Sequence, residues 1–374
     1  MIIKSDEIFL ENEIIPGYLS IGDGYIKDIL TEGQADIDLT GLKVLPGFID
    51  IHVHGGNGFD TMDAEYEAID AISRYKIEEG VTSFCPTTVT APEPKIMKAL
   101  KNIAEAKQRG VSGAKIIGGF LEGPYIDKEF KGAHPEEFIV DIDLVGLQKY
   151  IDTGAIKSVA IAPNLDNAYD AIKFCKARGI DVRIGHSGAD CGQVQEAIKY
   201  GANIAIHTYN AMTGLSHRSP GFVGETLVND GIYNEIICDL IHVSKRAIQV
   251  LVKCKRDKVV LITDCMEAGG LPEGVYKLGE LEVVVKDNVV RLAEGGSLAG
   301  STLSVISAVK NMNKIIGVPL FQAVKMAAQN PAKALGIYDE IGSLAVGKKA
   351  DLIAIDDDFN VKFVMVDGKV IKAV

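Results

Sequence analysis

The chain has 374 residues, of which 47% are hydrophobic and 24% charged, and its formal net charge is −12. That length builds a large domain with a smaller one beside it, and the acidic balance excludes a general nucleic-acid or anionic-membrane surface. An anionic ligand therefore needs a local basic pocket.

Six cysteines (Cys85, Cys175, Cys191, Cys238, Cys254 and Cys265) show no Cys-x-x-Cys spacing, so no disulfide framework is expected. The sequence shows neither a basic start leading into an apolar run nor 18 consecutive apolar residues, and a cytoplasmic setting is expected.

Residues 1 to about 43 alternate short apolar runs with Gly and Asp turns, as in 14–21, Gly22-Asp-Gly24 and 25–29, which predicts a small β unit. The stretch Val44-Leu-Pro-Gly-Phe-Ile-Asp-Ile-His-Val-His-Gly-Gly56 reads as a buried strand closed by a Gly-Gly turn. Alternate strand residues share a face, so His52 and His54 stand side by side with Asp50. Two imidazoles so placed can hold a metal ion, although the pair alone fits two partly exposed histidines before a turn equally well.

Helical patterns over 66–79, 95–108, 144–150, 167–178, 191–200 and 245–253 then alternate with strands over 80–88, 114–123, 156–163, 181–187, 202–210, 235–242 and 258–265. With the first strand this makes eight runs apolar enough to be buried on both faces, the pattern of a parallel (β/α)8 TIM-like barrel. An open doubly wound sheet is the alternative, and eight regular units favour closure. Residues 275–292 look like an inserted hairpin before helices over 301–316 and 320–328. From Gly342 the chain turns β-like again, over 351–355, 361–366 and 369–371. Both chain ends (1–44 and 345–374) are expected to form a small β-sandwich domain beside a barrel of residues 45–344.

Seven histidines occur, and their positions carry the functional reading. His52, His54, His186, His207 and His242 fall at four strand ends, while His134 and His217 follow the third and sixth strands. Glu122 ends the third strand and Asp264 the eighth. Active sites of (β/α)8 barrels are built at the C-terminal ends of the strands. Five histidines and two carboxylates converging on that rim point to a metal centre.

His-x-His on the first strand, His on the fifth and sixth, and Asp on the eighth resemble the amidohydrolase superfamily of metal-dependent hydrolases. Many members carry a carboxylated Lys on the fourth strand, whereas this one ends Ile161-Ala-Pro-Asn164. Leu121-Glu-Gly-Pro-Tyr125, Lys131-Gly-Ala-His134, Gly185-His-Ser187, His207-Thr-Tyr-Asn-Ala-Met212, Thr263-Asp264 and Leu298-Ala-Gly-Ser301 are similar instead to the N-acetylglucosamine-6-phosphate deacetylases. So are the terminal Asn330-Pro-Ala-Lys-Ala and Gly347-Lys-Lys-Ala-Asp-Leu.

The resemblance implies metal ligation by Glu122, His186 and His207, with His52 and His54 serving a second ion found in some members. The cofactor would be a divalent metal such as Zn or Fe, one or two ions per subunit. It implies Asp264 as the general base and acid, and His134 as the group that polarises the acetyl carbonyl. It also implies substrate contacts from Ala133, His134, Asn210, Ala211, Arg218, His242, Leu298 and Ala299. Arg218 would reach the neighbour's phosphate in a homodimer.

The expected ligand is thus a small amino-sugar phosphate, with the galacto epimer a rival to the gluco form. A cyclic amidase or deaminase is disfavoured by the missing fourth-strand Lys, and a non-catalytic barrel by the complete ligand set. One departure stands out: the family's Asp-Gly-x-His reads Asp239-Leu240-Ile-His242 here. Leu does not easily adopt positive φ, and it is expected to add bulk near the acetyl group or sugar.

Overall fold

The computed structural model describes residues 1–373. Its centre is a ring of eight parallel strands: β1 (Phe48–Val53), β2 (Val81–Thr88), β3 (Gly119–Leu121), β4 (Ile156–Ile161), β5 (Asp181–Ile184), β6 (Ala202–Ala205), β7 (Tyr233–Ile237) and β8 (Val259–Ile262). Each strand pairs in parallel with the next in sequence. β1, β2 and β8 are buried along their whole length, as a sheet covered on both faces requires. The ring closes only at its C-terminal rim. There the Asp264 N–H donates to His52 O at 2.9 Å and the His54 N–H to Cys265 O at 2.8 Å, beside the parallel bridge of Val53 with Cys265. Closure therefore brings two histidines and an aspartate together.

The helices are α1 (Tyr66–Glu78), α2 (Glu93–Arg109), α3 (Leu144–Ile151), α4 (Ala168–Lys176), α5 (Cys191–Tyr200), α6 (Gly221–Val228), α7 (Lys245–Lys255), α8 (Val305–Asn311), α9 (Leu320–Ala327) and α10 (Gln329–Ala334). Several start where their caps dictate. Asp190 and Gln193 form a reciprocal capping box on α5, and the Ser304 hydroxyl caps α8 three residues after the predicted start. α6 has no counterpart among the predicted helices, because seven of its eight residues are buried and no polar stripe marks a period.

Three further expectations change. The predicted first strand is two. Lys43–Pro46 belongs to the terminal sheet, and Gly47 is the joint, where a Cβ would lie 2.2 Å from Thr82 Oγ1. The third strand breaks between Lys115–Ile116, which pairs with β2, and β3 itself. The predicted hairpin is a three-stranded antiparallel meander, Gly274–Leu278, Leu281–Lys286 and Val289–Leu292. It packs Leu278, Val283, Val285 and Val290 against Met266 and Ala299 in a cluster separate from the barrel core.

Both chain ends pair as expected and fit a small sandwich beside the barrel. Lys43–Pro46 runs antiparallel to Leu352–Ile355 within one eight-stranded sheet, over a core that includes Ile3, Leu19, Ile26, Leu352, Phe363 and Met365. No helix among the described residues is long and apolar enough to cross a membrane.

Candidate metal centre and active site

Glu122, immediately after β3, is the hub. One of its oxygens, Oε1, lies 3.4 Å from His186 Nε2, 3.5 Å from His207 Nε2 and 3.4 Å from His52 Nε2. The other, Oε2, lies 3.1 Å from His54 Nε2 and 3.6 Å from His134 Nε2. Asp264 Oδ1 approaches His52 Nε2 at 3.4 Å and His54 Nε2 at 3.2 Å. Two triads result, His52–His54–Glu122 and Glu122–His186–His207, each with its donor atoms within 4.8 Å of one another and all buried. Glu122 is common to both.

These donors fit a cation better than they fit one another. His186 and His207 turn their Nε2 atoms together at 3.0 Å, and His52 Nε2 and Glu122 Oε1 are buried without a hydrogen-bond partner. His186 donates from Nδ1 to Phe130 O at 2.9 Å, which leaves its Nε2 lone pair facing Glu122. Burial pushes the Glu122 carboxyl up, and the His52 charge together with the other imidazoles around it reverses this, holding it well below the ordinary carboxylate range. Burial likewise opposes ionisation of Asp264, and His52 and His54 overcome it, drawing the carboxyl down to about 2. Asp264 is thus ionised.

His134 differs from the other four. The Thr90 backbone N–H, which can only donate, points at its Nδ1 at 3.2 Å, so the ring proton sits on Nε2 and faces Glu122. Burial lowers its pKa to about 4, which keeps the ring neutral and the Nε2–H available as a donor. His242 is oriented by Asp239, whose Oδ2 lies 2.6 Å from Nδ1, and this leaves Nε2 free.

A cavity of about 220 Å3 opens over the triads. The expected residues His54, Glu122, Ala133, His134, His186, His207, Asn210, Ala211, His242, Asp264 and Leu298 line it, joined by Val89, Ile237 and Leu278, which no motif marked. His52 lies fully buried beside its triad partners, off the cavity wall. Ala299 packs into the meander cluster. Arg218 and His217 are exposed in the loop before α6 and do not line the cavity.

Several rim residues adopt positive φ without being glycine: His186 (45°), His207 (24°), Ala211 (51°) and Asp264 (52°). Such conformations persist where the surroundings over-determine them, and they cluster at functional sites. Leu240 joins them at 67°. It accepts the conformation that glycine would adopt freely, and it packs against the barrel core instead of lining the cavity.

The sequence model of the amidohydrolase family matches residues 43–371. The chain is 44% identical over 345 residues to an N-acetylglucosamine-6-phosphate deacetylase of Vibrio furnissii, covering 91% of this chain and 86% of the relative. It is 41% identical over 359 residues to an N-acetylgalactosamine-6-phosphate deacetylase of Escherichia coli O157:H7, covering 94% and 93%. A solved mutant of the Mycobacterium smegmatis N-acetyl-D-glucosamine-6-phosphate deacetylase, in complex with N-acetyl-D-glucosamine-6-phosphate, superposes with a TM-score of 0.95. There the identity is 30%, over 100% of this chain and 99% of that one. By its fold, its His-x-His and strand-end ligand geometry, and these likenesses, the chain belongs to the amidohydrolase family.

Proposed function

We propose that this chain is a metal-dependent deacetylase that hydrolyses the acetamide of N-acetylglucosamine 6-phosphate to glucosamine 6-phosphate and acetate. The observation that carries the reading is one buried carboxylate, Glu122, shared by two histidine pairs, with Asp264 and the His134 Nε2–H turned into the same space. Glu122, His186 and His207 would hold one divalent ion, Zn or Fe, and His52, His54 and Glu122 a second. A divalent ion so held lowers the pKa of water from about 15.7 to roughly 7 and polarises a carbonyl.

The protein's own groups do the rest. Asp264, ionised and beside the His52–His54 pair, takes a proton from the attacking water and passes it to the departing amine. His134 donates from Nε2 to the developing oxyanion, the neutral tautomer being set by Thr90. His242 Nε2 meets a sugar hydroxyl. Backbone groups at Asn210 and Ala211 face the phosphate, aided by Arg218 from a second subunit of a homodimer.

Exposed Leu215 and Val228, at 60% and 74%, flank the Arg218 loop and α6 and support such a contact. The barrel is taken to span 45–344, with 1–44 and 345–374 as the small domain. Six thiols left unpaired suit a reducing cytoplasm.

The galacto epimer is the second reading, favoured by the 41% identity to the E. coli relative over nearly the whole of both chains. Acetate release measured on both epimers, with and without the 6-phosphate, tests the proposal. Release from neither phosphorylated sugar by metal-loaded protein would sink it, and a clear preference decides between the epimers.

A further inference from the structure

Arg183 on β5 is fully buried inside the barrel, and its Nε and Nη2 have no hydrogen-bond partner among the described residues. A buried guanidinium with unmet donors is destabilising unless something offsets it. What Arg183 does make is specific. Its Nη1 donates to Glu235 Oε1 at 2.7 Å and to Ile51 O at 2.8 Å, and the guanidinium carbon lies 3.9 Å from the Phe120 ring centroid.

Glu235, fully buried on β7, uses its other oxygen twice. Oε2 lies 3.1 Å from His52 Nδ1 and accepts the His207 backbone N–H at 3.3 Å. One carboxylate thus ties a residue of each histidine triad to the Arg183 charge on β5.

The chemistry of that contact is directional. A carboxylate paired with a guanidinium offers only acceptors, so His52 must donate from Nδ1. A cation that displaces the proton from Nε2 then meets a lone pair aimed at Glu122 Oε1 and Asp264 Oδ1, both 3.4 Å away. His54 in the same triad has no partner on its Nδ1. Of the two imidazoles, only His52 has its Nδ1 proton placed by the protein.

We propose that Arg183 and Glu235 form a positioning pair that makes the His52–His54–Glu122 triad competent to hold a cation, and so decides whether the chain carries a second ion. The inference rests on the metal-dependent reading above. Carboxylates that orient a ligating histidine typically change metal affinity by about 10- to 100-fold when removed.

Glu235→Gln tests it. The amide N–H of glutamine can donate to His52 Nδ1, which moves the ring proton to Nε2 and blocks the cation. Zinc titrated into metal-free protein should fill two sites per chain in the parent. In Glu235→Gln the first should keep its affinity and the second should weaken about 10- to 100-fold. In metal-free protein labelled with 15N at histidine and held at a pH high enough to keep the ring neutral, the His52 signal, assigned by its loss in His52→Asn, should switch tautomer in the variant. A merely structural brace would not produce that switch.

If Glu235→Gln does not fold, Arg183→Lys carries the test: it keeps the charge but loses the planar group over Phe120 and the Nη1 donor shared by Glu235 and Ile51 O, and the second site should weaken while the first does not. Two ions at parental affinity in the folded variant, with an unchanged His52 tautomer, would overturn the proposal. So would a parent that binds one ion only. Failure of the deacetylase reading shows separately, as a parent that releases no acetate from either sugar phosphate.

Discussion

Asp264 sits where the ring of strands closes, its backbone N–H bonded to His52 O and its carboxylate against both β1 histidines. Asp264→Asn preserves shape and removes the base, so kcat should fall by about 10²–10⁴-fold or more while substrate still binds. Turnover within about tenfold of the parent would remove Asp264 from the proton path. His54 makes a second test. Burial alone would lower its pKa, but hydrogen bonds to Asp264 and Glu122 carry it up to about 9. Below that pH the metal-free ring holds a proton that an incoming cation must displace, so affinity at this triad falls as pH falls. Metal uptake near neutral pH, followed in a weakly buffered titration, should therefore release about one proton fewer from His54→Asn than from the parent. Equal release would show that the cation does not reach His54. Leu240 carries the opposite lesson. Its positive φ costs about 1–2 kcal/mol, and glycine there would relieve this while losing chain entropy and core contacts. Leu240→Gly should leave stability within about 1 kcal/mol of the parent and KM unchanged, because the side chain is off the cavity. A large KM change would return Leu240 to the ligand's surroundings.

At the scale of elements, the barrel was legible because strands buried on both faces are apolar runs, and the loops between them carry their own Gly and Pro punctuation. α6 was hidden by the same burial that stabilises it: Gly-Phe-Val-Gly-Glu-Thr-Leu-Val has no polar face to set a period. The two His/Glu triads were legible because their histidines end strands, where the fold itself makes neighbours. Arg183 and Glu235 were not, since their meaning lies in distances across the ring, although a charge inside an otherwise apolar strand was a signal in plain view. Thr90 acts through its backbone N–H, which no side-chain pattern reports. The meander adds Leu278 to the cavity wall and holds its own small core, so it should respond as a unit. Leu278→Ala removes a buried side chain, a change worth about 2–5 kcal/mol in a well-packed core. Hydrogen exchange should quicken over residues 274–292 while the barrel strands stay protected. Loss of protection throughout the barrel would mean the meander is part of one cooperative core.

The whole molecule is acidic, yet its proposed ligand is an anion, so the phosphate needs a cation that this chain's own cavity does not supply. Asn210 and Ala211 line the cavity, while Arg218, only a few residues on, is exposed and forms no ion pair among the described residues. The proposed second subunit would supply that cation: Arg218, exposed and off its own cavity, would serve the neighbour's site. Arg218→Ala should then weaken binding of the phosphorylated sugar about ten- to a hundredfold, the worth of a charge-assisted contact of about 1.5–3 kcal/mol, and barely affect the unphosphorylated one. Mixing distinguishes the subunits. In a dimer of one Arg218→Ala chain and one Asp264→Asn chain, the site with intact Asp264 receives intact Arg218 from its neighbour, and the other site has neither. Freely exchanged equal mixtures contain about half mixed dimers and so should recover about a quarter of the parental sites, although each variant alone is impaired. If mixed dimers are shown to form and activity does not rise, Arg218 serves its own subunit, and the loop before α6 must fold over its own cavity when the phosphate arrives.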